Sequence, residues 1–154
     1  MKSKYITNST SQTKKIGRIL AKEILKTKKQ KMAIILGLEG DLGGGKTTFL
    51  QGLAKELGIR EKILSPTFVI IRRFKIPSYR TAGQFKNFYH IDCYRISRPK
   101  EIFNLGFKKI TSQLQNIIAI EWADRFYKIL PKNILILKFK FISKNKREIK
   151  IQQK

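Results

Sequence analysis

The chain has 154 residues, 42% of them hydrophobic, which is enough for one domain with a buried core and leaves no room for a second catalytic domain. A single cysteine, Cys93, excludes an internal disulfide, and a single histidine, His90, leaves a histidine metal cluster or a Ser/His/Asp hydrolase almost nothing to build with. No apolar stretch approaches the roughly 20 residues of a membrane span, and Met1-Lys2-Ser3-Lys4-Tyr5 lacks the apolar core of a secretion signal, so a cytoplasmic protein is expected.

Taken in chain order, Ile16, Leu20 and Ile24 share one helical face, which predicts a helix over Ser11–Lys26 with a Ser or Thr at its N-cap. Lys26–Lys31 reads as a solvated basic link. Residues 32–39 form a buried strand, followed by a glycine-rich loop and a helix from Thr47 to about Leu57, closed by Gly58. Ser65-Pro66-Thr67 breaks the chain before a β-branched and aromatic strand, Phe68–Phe74. Pro77–Gln84 reads as an exposed hairpin loop leading to an antiparallel return strand at Phe85–Tyr94. Pro99 opens a short helix through Leu105 that Gly106 ends. Ile117–Ile120 is a continuous apolar run ending at Glu121-Trp122, as expected of a parallel strand buried on both faces. Asn133–Ile142 and Arg147–Ile151 close the chain as a hairpin. The expected architecture is one α/β domain over 1–154, P-loop NTPase-like and three-layered, with a mixed, mostly parallel central sheet and antiparallel edge hairpins.

The loop Gly40-Asp41-Leu42-Gly43-Gly44-Gly45-Lys46-Thr47-Thr48 completes the phosphate-cradling pattern G-x-x-x-x-G-K-[ST] between a strand and a helix. Glycines let backbone N–H groups close around phosphate oxygens. Lys46 reaches the β and γ phosphates, Thr47 offers a hydroxyl to Mg²⁺, and the helix N-terminus points its partial positive charge at the same anions. A Mg·nucleotide site also needs a carboxylate at the end of a neighbouring buried strand, and Glu121 and Asp92 are the two candidates. Thr67, after a proline, either stands where nucleotide-sensing loops place a hydroxyl or simply starts the next strand. Asp41 either orients the attacking water or caps a turn, His90 reads as a hydrogen-bonded structural residue, and Trp122 either packs in the core or stacks beside the nucleotide. Asn145-Lys146-Arg147-Glu148 departs from the guanine-reading N-K-x-D motif, which makes ATP the expected base.

These pieces stand in one order: Thr13 and Gly17, Leu38–Thr48, Ser65-Pro66-Thr67, His90-Ile91-Asp92-Cys93-Tyr94-Arg95, Leu105-Gly106-Phe107 and Ile120-Glu121-Trp122. Together they closely resemble the bacterial TsaE (YjeE) family, small ATPases required for the threonylcarbamoyladenosine modification of tRNA position 37. The resemblance implies ATP and Mg²⁺ as ligands, a TsaB-like and a TsaD-like partner, and ATP hydrolysis rather than threonylcarbamoyl transfer as the chain's own reaction. By that resemblance Thr47 and Glu121 are Mg²⁺ ligands, Gly43, Gly44, Gly45, Lys46, Thr47 and Thr48 form the cradle, and Asp92 is a required acid. Thr13 and Trp122 resemble nucleotide contacts, with Lys146 or Arg147 completing the contact from the last hairpin. Two departures are Gly44, where the family usually has Ala, and a longer, more basic Tyr79–Lys86 segment.

Two other classes compete. A small-molecule P-loop kinase would use Asp41 or Asp92 as base and Arg72, Arg73 or Arg95 to neutralise phosphate, but no segment supplies both a lid and a substrate insertion. A non-catalytic RNA-binding module is favoured by the formal charge of +24. The lysines, however, are scattered through an isoleucine-rich chain as compositional drift would scatter them, so weak or indirect tRNA contact is the most that charge supports.

Overall fold

The computed structural model describes residues 2–28, 31–65 and 70–154. Strands β1 (Lys2–Thr7), β2 (Ile34–Glu39), β3 (Ile71–Lys75), β4 (Asn87–Asp92), β5 (Asn116–Glu121), β6 (Leu135–Phe141) and β7 (Arg147–Gln153) form one sheet in the order β1-β7-β6-β2-β5-β4-β3. The central strands β6, β2, β5 and β4 are parallel neighbours. β7, β1 and β3 add antiparallel edges. The helices are α1 (Thr10–Lys26), α2 (Lys46–Glu56), α3 (Ser78–Thr81), α4 (Pro99–Asn104) and α5 (Phe107–Ser112), with a 3-10 turn at Ala123–Phe126.

The continuous apolar runs are explained by helices on both faces of the sheet, since strand side chains alternate sides. Leu36 and Leu38 of β2 and Ile117 and Ala119 of β5 pack with Leu20 and Ile24 of α1 and with Phe49, Leu50 and Leu53 of α2. Ile35 of β2 and Ile118 and Ile120 of β5 face the opposite way, onto Ile102 of α4 and Phe107 of α5. β2 and β5 thus each serve two cores, giving three layers.

The two helices of the first layer cross closely because each presents a glycine. A Cβ on Gly17 would lie 2.2 Å from the Phe49 carbonyl oxygen, and one on Gly52 would lie 2.0 Å from that of Lys14. Backbone-to-backbone approach of this kind leaves no space for a methyl group. It brings the first turn of α1, capped by the Ser9 hydroxyl on the Gln12 N–H at 3.1 Å, against the loop that precedes α2.

Several boundaries differ from expectation. α1 starts at Thr10 with Ser9 as its cap, and α2 starts at Lys46, one residue before the expected Thr47. The expected hairpin loop over Pro77–Gln84 contains α3 instead, with Thr81 buried and Arg80 paired to the Glu56 carboxylate at 2.9 Å. Tertiary anchoring there outweighs the Pro, Ser and Gly signals of a loop. The return strand is shorter than expected, and the start of the preceding one, with Pro66 and Thr67, lies outside the described residues. β1 and α5 were not expected at all. β1 is an edge strand whose alternating Lys and Ser leave no apolar run, and α5 is a separate short helix that begins after Gly106, at φ +79°.

Candidate functional site

The C-terminal ends of β2, β5 and β4 lie side by side: Leu38 pairs with Glu121, and Glu121 with Asp92. In an open parallel sheet this edge collects ligands. The chain leaves β2 at Glu39, turns through the glycine loop and enters α2 from Gly45, whose φ of +100° a side chain would strain. No side chain among the described residues caps α2. The first-turn amides of a helix have no intrahelical acceptor, so the end of α2 that faces the loop is suited to an anion.

Lys46, 5% exposed, turns back into this loop, where its Nζ donates to the carbonyls of Gly40 and Asp41, the latter at 2.9 Å, and lies 4.3 Å from the Trp122 ring centre. Burial lowers its pKa, opposed first by the Glu121 charge and then by Asp92 and Asp41. A buried ammonium held by neutral carbonyls is electrostatically incomplete, and phosphate oxygens would complete it.

Thr47 donates its hydroxyl to Glu121 Oε1 at 3.2 Å, and the same oxygen is hydrogen-bonded to His90 Nε2 at 2.9 Å. His90 and Glu121 are both buried. Asp92 accepts from the Tyr94 N–H at 2.9 Å and from the Ser65 hydroxyl at 3.4 Å. Burial is the largest cause raising its carboxyl pKa; the Tyr94 N–H opposes it and the Glu121 charge adds to it.

A cavity of about 540 Å³ opens over these groups and is lined by Thr13, the loop from Leu42 to Thr48, Asp92, Glu121 and Trp122, among others. The volume is that of a small-molecule site. Thr13 is buried and hydrogen-bonded through its hydroxyl to Thr7 at 2.8 Å, so β1 steadies it. Trp122 holds φ at +63°, uncommon for so large a residue, and stacks at a tilt on Tyr94 with 5.2 Å between ring centres.

Most of the residues singled out from sequence therefore meet in one place: Thr13, Gly43, Gly44, Gly45, Lys46, Thr47, Thr48, Asp92, Glu121 and Trp122 all line the cavity. Asp41 and Lys146 do not. The Asp41 side chain is exposed and its carbonyl serves the loop, accepting from the Gly44 N–H at 3.1 Å. Lys146 sits in the turn between β6 and β7 with its carbonyl tied to the Ile142 and Ser143 amides, while its neighbour Arg147 lines the cavity and donates Nε to Gly43 O at 2.9 Å. Thr67 lies outside the described residues. Of the arginines considered for phosphate neutralisation, Arg95 lines the cavity, and Arg72 and Arg73 of β3 do not. Ser65 and Tyr94, quoted only as parts of the Ser65-Pro66-Thr67 and His90–Arg95 runs and given no role, also line the cavity, as do Ser9 and Lys144, which were not singled out. Lys144 reaches the site only because the β6–β7 turn folds over it.

The donor set fits Mg²⁺ with a nucleotide. A hydroxyl and one carboxylate are hard oxygen donors, and this ion is usually held by one or two carboxylates together with substrate phosphates and water.

A family model described as threonylcarbamoyl adenosine biosynthesis protein TsaE matches residues 7–149. The tRNA threonylcarbamoyladenosine biosynthesis protein TsaE of Rickettsia typhi is 33% identical over 147 residues, covering 95% of this chain and 92% of its own length. The protein of the same name from Borreliella burgdorferi is 41% identical over 109 residues, covering 70% and 74%. The crystal structure of the Bacillus protein YdiB superposes with a TM-score of 0.67 at 30% identity, covering 98% of this chain and 84% of that one.

Proposed function

The chain belongs to the TsaE family of threonylcarbamoyl adenosine biosynthesis proteins, and on that premise we propose that it binds and hydrolyses Mg·ATP in the cytoplasm to support threonylcarbamoyladenosine modification of tRNA. It does so together with a TsaB-like and a TsaD-like subunit, which carry out the transfer. The observation that carries the nucleotide reading is the buried Lys46 ammonium, bonded to neutral carbonyls beside the uncapped α2 N-terminus and the Thr47–Glu121 pair.

In this reading the α2 amides and Lys46 bind the β and γ phosphates, and Thr47 and Glu121 hold the metal. Mg²⁺, when bound, neutralises charge that develops on the transferring phosphoryl group. His90 keeps the Glu121 carboxylate turned toward Thr47, so the metal ligands are oriented before nucleotide arrives. Asp92, whose burial strengthens it as a base, orients the attacking water and receives its proton. Asp41, the other candidate for that task, points its carboxylate to solvent. Trp122 and Thr13 border the nucleotide, and Arg147 closes the cradle from the last hairpin.

The test measures Mg·ATP affinity and hydrolysis by the purified chain, alone and with its TsaB-like and TsaD-like partners, beside Lys46→Ala. Partner-stimulated hydrolysis in the wild type, with binding lost in the variant, is the expected result. Full binding by Lys46→Ala, or partner-indifferent transfer of phosphate to a small molecule, would overturn the proposal.

A further inference from the structure

A second concavity, about 500 Å³, lies on the α1–α2 layer, bordered by Lys14 of α1, Lys55 of α2, Arg60 and Lys62 of the segment after α2, and Tyr79 of α3. Among the described residues none of these four cations is in an ion pair. Glu61 is the one acid on the rim, and the nearby Glu56 is neutralised by Arg80. Tyr79, 73% exposed, presents an aromatic ring at the same rim. Four cations and one acid thus surround this groove, with a ring beside it. Unpaired cations around a groove match the regular negative charge of a phosphodiester backbone, and an exposed aromatic ring stacks an unpaired base.

We propose that this groove binds the phosphate backbone of RNA, with Lys55, Arg60 and Lys62 neutralising phosphates and Tyr79 stacking a base. The choice of RNA rests on the tRNA-modification reading; the groove itself does not depend on the nucleotide site. Gln51 Nε2 donates to Ile63 O at 3.0 Å and fixes the segment bearing Arg60 and Lys62 against α2. The cations are therefore held on a braced wall rather than a loose tail.

Because a chain of charge +24 retains any polyanion, the test compares two variants of equal charge. Lys55→Glu/Arg60→Glu/Lys62→Glu alters the groove, whereas Lys100→Glu/Lys108→Glu/Lys109→Glu alters exposed positions of α4 and α5 on the opposite face of the sheet. Binding of an unmodified tRNA transcript to each full-length protein is followed by fluorescence anisotropy across a salt series, with far-UV circular dichroism and Mg·ATP affinity as checks on folding. The groove variant should bind at least about tenfold more weakly and lose about 2 to 3 units of the log–log salt slope, against less than about threefold for the other. Tyr79→Ala should weaken binding to single-stranded RNA by about fivefold or more while leaving the salt slope unchanged. Equal losses in the two triple variants would overturn the proposal, as would a groove variant that loses affinity for polyglutamate as strongly as for tRNA, which would mark an acidic protein surface as the occupant. The readout is binding, so an idle ATPase site would not imitate failure of the groove.

Discussion

Gly17→Ala reverses a familiar expectation. In the middle of a solvated helix, replacing glycine by alanine stabilises by about 1 kcal/mol through backbone entropy. Here the new methyl group would stand 2.2 Å from the Phe49 carbonyl oxygen and 2.9 Å from the Leu53 nitrogen, about 1 Å inside ordinary contact, and both are backbone atoms of α2 that cannot rotate aside. Relief requires moving one helix off the other, which loosens Leu20, Ile24, Leu50 and Leu53 together. Overpacking of this kind costs about 1 to 3 kcal/mol and here sits at the upper end, leaving a net loss of about 1 to 2 kcal/mol after the propensity gain. For a chain of this size the melting temperature should fall by roughly 3 to 8 °C. Urea unfolding of the nucleotide-free chain should show a lower midpoint at unchanged slope, whereas Lys15→Ala, at an exposed position of α1, should stay within about 0.5 kcal/mol of wild type. Since α1 carries Thr13 to the cavity, ATP affinity should fall in Gly17→Ala as well. A midpoint at or above that of the wild type would refute the close-crossing argument.

Asp92→Asn should abolish hydrolysis while retaining ATP affinity, and should stabilise the nucleotide-free chain near neutral pH. The folded carboxyl titrates above its unfolded value of 3.8, so between those two values the native state holds more protons and stability falls as pH rises. Asparagine removes a penalty that is absent below the unfolded value and complete above the folded one, so its stabilisation should grow as pH rises from below 3.8, and a gain in denaturation midpoint that does not grow with pH would contradict this. His90→Ala should raise the Mg²⁺ concentration needed for half-maximal turnover several-fold, with His90→Gln recovering part of the loss through a donor to Glu121 Oε1. Identical Mg²⁺ dependence in His90→Ala and wild type would remove the orienting role.

The glycine-lysine loop, the apolar runs 32–39 and 117–120 and the acids that follow or end strands were legible in the sequence because each is a local pattern. A phosphate loop must be spelled with glycines and a lysine, and a strand buried on both faces must be continuously apolar. The relation between Thr13 and the loop was legible only as a resemblance, since it depends on two glycines 35 positions apart, Gly17 and Gly52, meeting in space. The same limit explains Arg147 and Lys146. Adjacent in sequence and equally basic, they meet different fates because Lys146 is held in the turn by its backbone bonds to Ile142 and Ser143, whereas Arg147, the first residue of β7, reaches the Gly43 carbonyl. β1 escaped notice because its signal is supplied by β7, which pairs with it from Lys2↔Gln152 to Thr7↔Arg147. Local chemistry thus spelled the loop and its acids, whereas the sharing of Glu121 Oε1 by Thr47 and His90 and the approach of Lys14 and Tyr79 to the groove walled by Lys55, Arg60 and Lys62 were decided by long-range packing, which single-residue patterns do not encode.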